Sequence, residues 1–160
     1  MNVFRGIRRG IGGLVAAISL FPLYAALRTD HRLLGEDALI TLTFAKNLAR
    51  GDGFVFNHPP PVLGTTTPLF ALLVAALDWL VPGADPTACA VWLSAACWVA
   101  VLWIFVWFAG DLELSSWQVL SIAGAVTATG WVTRLDFEAY LCAALLLLAI
   151  ALHARGRPVA

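Results

Sequence analysis

Two adjacent carboxylates, Glu36 and Asp37, open a helix-patterned stretch in a chain otherwise dominated by apolar runs. Paired acids are residue types that take a proton from an attacking hydroxyl or hold a cation. Where two carboxylates stand side by side, one keeps its proton more tightly than an isolated acid would, which suits it to general-base work near neutral pH. Acids are equally at home in the first turn of any helix, facing the positive end of the macrodipole. A bare acidic pair therefore carries two readings, one structural and one catalytic.

Other residues with chemistry to offer stand nearby or far downstream. Lys46, Asn47 and Arg50 close the same stretch. The two cations suit either the negative end of a helix or the phosphate of an anionic lipid. Arg134, Asp136 and Glu138 form a second charged group between apolar runs. They could pair with one another in an interfacial turn, or Arg134 could contact a phosphate, which its planar guanidinium fits. Asp78 reads as an interface or loop-facing acid and His58 as a solvated histidine. Cys89, Cys97 and Cys142 all lie in apolar runs and are odd in number, so they read as small hydrophobes rather than as a disulfide or metal set.

The elements that must position these residues belong to a membrane chain. Of 160 residues, 61% are hydrophobic and 12% charged, with a mean hydropathy of +0.84. Soluble domains average about 45–50% apolar and about 25% charged, so the excess calls for a bilayer. Formal net charge is zero, which offers no bulk attraction to nucleic acid. Five apolar stretches stand out: 11–27, 68–81, 87–109, 117–132 and 138–153. The first follows Arg5, Arg8 and Arg9. It exceeds the usual length of a signal-peptide core and lacks a clear small-x-small cleavage site, so we read it as an uncleaved first crossing. Trp92, Trp98, Trp103 and Trp107 add bulk and interface anchoring to 87–109.

Charge placement sets the number of crossings. Arg5, Arg8 and Arg9 at one end, and His153, Arg155 and Arg157 at the other, both belong in the cytoplasm under the positive-inside rule. An even number of crossings follows, so one of the five stretches should not cross. The weakest is 68–81, which is short, begins at a proline, carries Asp78 and ends at Val81-Pro82-Gly83. The expected fold is all-α and integral to the membrane. Crossings fall at 10–28, 87–109, 116–133 and 138–154, and a non-cytoplasmic loop at 29–86 carries surface helices at 36–50 and 68–81. The turn 134–138 then shares the side of Glu36 and Asp37. The turn 110–116 faces the cytoplasm although it holds Asp111 and Glu113 and no cation, which counts mildly against the scheme.

Within the loop, 36–50 has the pattern of an amphipathic helix. Ile40, Leu42, Phe44, Ala45, Leu48 and Ala49 share one face; Glu36, Thr43, Lys46, Asn47 and Arg50 share the other. Gly51 stands where a C′ glycine ends a helix. Such a helix lies along a membrane surface or packs on the bundle. Pro59-Pro60-Pro61 makes a rigid extended spacer farther on.

Four motifs in this region occur in a telling order: Glu36-Asp37-Ala38, then Ala45-Lys46-Asn47-Leu48-Ala49-Arg50-Gly51, then Gly51-Asp52-Gly53 through Asn57, then Gly64-Thr65-Thr66-Thr67-Pro68-Leu69. Here the chain resembles the GT-C superfamily of integral-membrane glycosyltransferases, which includes protein mannosyltransferases and aminoarabinose and arabinofuranosyl transferases. These enzymes open a helix with an acidic pair just after the first crossing, follow it with a G-x-G-x-x-x-N exit and a G-x-T-x-P-L element, and often carry a later glycine–hydrophobic–glutamate–threonine motif. Asp136-Phe137-Glu138-Ala139 occupies that later place. Glu36 stands where aspartate is usual, and Asp136 and Ala139 replace the usual glycine and threonine.

The resemblance implies sugar transfer from a polyprenyl-phosphate-linked donor to an acceptor on the non-cytoplasmic face of a bacterial inner membrane. Glu36 and Asp37 would be the catalytic acids. Lys46, Asn47, Arg50, Arg134, Asp136 and Glu138 would contact substrate. A divalent cation, if one takes part, would draw on Glu36, Asp37 and Glu138. Superfamily members usually have more membrane helices, and this chain spans about their first third. Its expected partners are therefore the bilayer, the lipid-linked donor, and either the rest of a longer chain or another membrane subunit. The competing expectation is a non-catalytic membrane scaffold or an inactive truncated paralogue.

Overall fold

The structure is a computed structural model. It describes residues 13–21, 23–24, 26–27, 36–57, 64–81, 83–109, 111–112, 114–132 and 137–156, except for the side chains of 116, 129–132 and 137–138. Among these residues the chain is helical, with no strand. The elements are α1 (13–21, with 23, 24, 26 and 27 also helical), α2 (Glu36–Ala49), α3 (Pro68–Leu80), α4 (Pro86–Ala109), α5 (Ser116–Val132) and α6 (Phe137–Gly156).

Local punctuation accounts for the boundaries. Pro68 and Pro86 occupy first-turn positions, where a missing N–H costs nothing and the ring pre-sets the helical φ. After α2, Gly51 takes φ 85°, the Gly51 N–H donates to Leu48 O at 3.1 Å, and the Asp52 N–H donates to Asn47 O at 2.9 Å. Those two bonds are the Schellman arrangement, and the glycine at its C′ position is the residue that escapes the left-handed penalty. At the start of α5, the Ser115 hydroxyl and backbone N–H both donate to Gln118 Oε1 at 2.8 Å. That contact is a reciprocal cap of the kind that satisfies first-turn donors.

Among the described residues two helices are long and apolar enough to cross a membrane: α4 over Pro86–Ala109, and α6 over Ala139–Gly156. At 1.5 Å per residue, α4 reaches about 36 Å against a hydrocarbon core of about 30 Å. Helix α3, with 13 residues, reaches only about 20 Å. The apolar part of α5, Trp117–Ala128, is also short of a span.

The core forms where α1, α4 and α6 meet. Trp98 is fully buried at mid-α4; Phe21 of α1 meets its ring edge-on at 5.9 Å, and Tyr140 of α6 stacks on it at 5.0 Å and 12°. Such ring geometries add about 0.5–1.5 kcal/mol each beyond the buried area. Helix α6 has its closest packing with α4, burying a narrow seam of Tyr140, Ala144 and Ala151. Its remaining apolar residues face outward, among them Leu145, Leu146, Ile150 and Leu152. Only 17% of this apolar stretch is buried, where the core helix of a soluble domain would be mostly covered. A broad outward apolar face of this kind suits lipid rather than water. Trp79 at the end of α3 and Trp117 at the start of α5 are 76% and 79% exposed, as aromatic anchors at a lipid–water boundary would be.

Helices α4 and α6 run parallel: Trp98 meets Tyr140, and nine residues on Trp107 meets Arg155. The Arg155 guanidinium lies 3.5 Å from the centre of the Trp107 ring and pairs with Asp111 in the turn after α4. One end of the bundle thus gathers the end of α4, the start of α5 and the end of α6. The starts of α4 and α6 lie at the other end, where the turn 81–85 delivers α3. The acidic turn that looked out of place in sequence has found its cation: Asp111 is neutralised by Arg155, 44 residues away.

Candidate functional site

Helix α2 is the spine on which the motif residues assemble. Its packed side buries Thr41, Leu42, Phe44 and Ala45 against α3, which answers with Phe70, Ala71, Val74 and Ala75. Glu36 and Asp37 sit exposed in the first turn. Lys46 is half-buried in the last turn and Arg50 exposed just beyond it.

Two loop arms are tied to this spine, each by polar stitches. The arm 51–57 leaves through the left-handed glycines Gly51 (φ 85°) and Gly53 (φ 88°). The Asn47 side-chain nitrogen then donates to Val55 O at 2.7 Å and Phe56 O at 3.1 Å. Phe44 packs on the same arm, its ring 4.9 Å from Phe54 and 5.9 Å from Phe56. The second arm, 64–67, is held at Thr41. The Thr41 hydroxyl shares hydrogen bonds with Thr65 Oγ1 at 3.2 Å and Thr67 Oγ1 at 3.4 Å, and the Thr67 N–H donates to Thr65 Oγ1 at 3.3 Å. Gly64 lies against the Phe44 ring, where an added Cβ would come within 3.8 Å of it.

Of the eight residues singled out in sequence, Glu36 and Asp37 stand together, and Lys46, Asn47 and Arg50 form a second group. From Asp37 to Lys46 the helix rises about 14 Å, and to Arg50 about 20 Å, so the two groups do not form one compact pocket. The Asn47 amide nitrogen is committed to the backbone of the 51–57 arm. Arg134 and Asp136 lie outside the described residues, as does the side chain of Glu138. Its backbone belongs to the first turn of α6, at the end of the bundle away from Asp111 and Arg155.

The expected cation ligands were Glu36, Asp37 and Glu138, and the side chain of Glu138 lies outside the described residues. Among the described residues no three His, Cys, Asp or Glu side chains come close enough to hold a metal ion.

Sequence reasoning missed Thr41. At about 100° per residue it falls in the middle of the apolar face, between Leu48 and Ala45, and accordingly it is 2% exposed and anchors the second arm. A usable signal was present: Thr41 is one turn after Asp37, and the triple threonine 65–67 supplies the matching hydroxyls. The three cysteines are free thiols, with Cys97 buried and Cys142 exposed on the outward side of α6. The sequence matches no protein-family profile, and no curated protein or solved structure is significantly similar to it.

Proposed function

We propose that this chain is a membrane glycosyltransferase, or the N-terminal part of one. In this reading it moves a sugar from a polyprenyl-phosphate-linked donor to an acceptor on the non-cytoplasmic face. Asp37, or Glu36 beside it, takes the proton of the acceptor hydroxyl as the glycosidic bond forms. The observation that carries the reading is the common assembly of the motif residues. Asn47, Thr65 and Thr67 bond two arms to the helix that begins with the acids, and Gly51 and Gly53 take the left-handed turns that lead the first arm back. The polar head of a lipid-linked donor belongs at a lipid–water boundary, and so does such a module.

The topology that goes with this reading has four crossings, α1, α4, α5 and α6, with the loop 29–86 outside. The end of the bundle that holds His153 and Arg155 supports it, because such cations belong in the cytoplasm. Lys46, Arg50, Arg134, Asp136 and Glu138 remain the proposed contacts to the donor's phosphate and sugar, while the Asn47 amide nitrogen is taken up by the 51–57 arm. The donor, or the rest of the membrane assembly, would have to bridge the distance between the two ends of α2.

The deciding experiment compares the full chain with Asp37→Asn in membranes at equal expression. Donor-dependent sugar transfer should fall by about 10²–10⁴-fold, as expected when a positioned acid–base group is removed. Transfer by the variant at the wild-type rate would sink the catalytic reading and favour a scaffold. Cysteine labelling at positions 58 and 112 checks the topology. The two sites should report opposite sides, and labelling of both from the cytoplasm would overturn it.

A further inference from the structure

Helix α3 is apolar on both sides, and only one side is covered. Phe70, Ala71, Val74 and Ala75 are buried where α2 and α4 pack on it. Leu69, Leu72, Ala76, Trp79 and Leu80 are exposed, and Leu73 is half-buried between them. At 3.6 residues per turn these six fall within about 120° of arc, a continuous stripe along the helix. Asp78, the charged residue of α3, stands nearly opposite the stripe and is half-buried on the packed side. A helix facing water places its charge outward and its leucines inward. In α3 the outward stripe carries no polar side chain. Helix α2 is arranged the other way. Its apolar side is taken up by packing, and its large exposed apolar residue, Leu39, stands among Glu36, Thr43 and Lys46 on the polar side.

We infer that α3, and not α2, is the helix of the 29–86 loop that enters the bilayer, lying in the plane of the interface with its outward stripe among the lipid acyl chains. By pattern alone both 36–50 and 68–81 suit a membrane surface; packing separates them. With 13 residues, α3 reaches about 20 Å and cannot cross, so an in-plane position is the one open to it in lipid. Its end is tethered to the membrane boundary. Residues 81–85 lead straight into α4, an extended reach of at most about 20 Å from Leu80 to Pro86. The turn closes further on itself, with Gly83 at φ 85° and the Ala84 N–H donating to Val81 O at 3.0 Å. Trp79 therefore stands near the headgroup level that its amphipathic ring suits. A docking surface for a water-soluble partner carries a polar rim, and the stripe has no polar side chain to make one. The inference takes α4 as a membrane crossing and is independent of the catalytic reading. With α3 in lipid, α2 needs no lipid contact of its own, and its polar side stays in water.

The test uses the full chain in lipid nanodiscs. Cys89, Cys97 and Cys142 are replaced by alanine, and a nitroxide is attached in turn through Leu72→Cys, Ala76→Cys, Asp52→Cys and Trp103→Cys. Trp103 is exposed on α4 and reports the crossing; Asp52 is exposed beyond α2 and reports water. Collisions with oxygen, which concentrates in lipid, are compared with collisions with a polar nickel chelate. The labels at 72 and 76 should shift toward oxygen as the label at 103 does, while the label at 52 shifts toward nickel. Water-like values at 72 and 76 beside a lipid-like value at 103 would overturn the inference and leave the crossing standing. A water-like value at 103 would overturn both. Labels at 72 and 76 shielded from both reagents would also overturn it, because another protein surface then covers α3. The unsubstituted chain gives a second measurement. Nanodisc lipids carrying a diazirine in the acyl chain should, on illumination, modify residues within 69–80 as well as α6. Adducts in α6 with none in 69–80, or adducts in 36–49 in their place, would sink the inference even where a cysteine variant fails to fold.

Discussion

The α2–α3 module and the α4–α6 bundle are held together by different physics. The module is stitched: a Schellman turn, an asparagine amide on two backbone carbonyls, and three threonine hydroxyls bind two loop arms to one helix. The bundle is packed: a buried tryptophan between a phenylalanine and a tyrosine, a narrow seam along α6, and an ion pair at one end. Irregular backbone must satisfy its donors and acceptors with specific partners, whereas helices satisfy their own and associate through side-chain fit. Polar specificity is therefore concentrated where the chain leaves α2, at the end away from the candidate acids.

Substitutions on the two sides should separate these regimes, beginning with the largest effect. Trp98→Ala removes the ring on which α1, α4 and α6 converge, and should destabilise the bundle by about 3–5 kcal/mol. Reversible unfolding in mixed detergent measures this; a change below about 1 kcal/mol would mean that the seam does not depend on that stack. Gly51→Ala places a Cβ in open space, so its cost is conformational only: about 1–2 kcal/mol for the left-handed φ. Proteolysis between residues 51 and 57 should accelerate, while the unfolding midpoint of the bundle stays put.

Asn47→Ala removes two hydrogen bonds to the 51–57 arm and should cost about 1 kcal/mol, again felt locally. Amide exchange at 54–57 is the readout, and slow exchange there in the variant would show that Phe44 packing alone holds the arm. The smallest effect belongs to Asp111→Asn. Both partners of its ion pair are more than a third exposed, so the loss should be about 0.2–1 kcal/mol and shrink further in high salt. A double-mutant cycle with Arg155→Gln isolates the pair. A coupling well above that range would make the bundle's end as specific as the loop module and erase the contrast.

Much of the helical layout was legible because its signals are local. Pro68, Pro86 and Gly51 each act on their own backbone, so the edges of α2, α3 and α4 fall within a residue or so of the expected ones. The acid-first, base-last order of α2 follows equally from its own dipole. The role of Asn47 was not legible. On the helical wheel it belongs with Lys46 and Arg50 on the polar face, and only the return of the 51–57 arm turns its amide into a clasp. The small apolar residues of α6 gave no hint of which face is covered, because a helix that is apolar all round has no periodic signal to read.

Sequence by itself determined the composition that suits a bilayer, the lengths of the apolar runs, the stops between them, and the acids at the head of α2. Tertiary structure decided which distant residues meet: Thr41 with Thr65 and Thr67, Trp98 with Phe21 and Tyr140, and Asp111 with Arg155. The division has one cause. Helix starts, stops and dipoles are settled within a turn or two of backbone, whereas pairings across 24 or 44 residues depend on how whole helices pack, which no local pattern encodes.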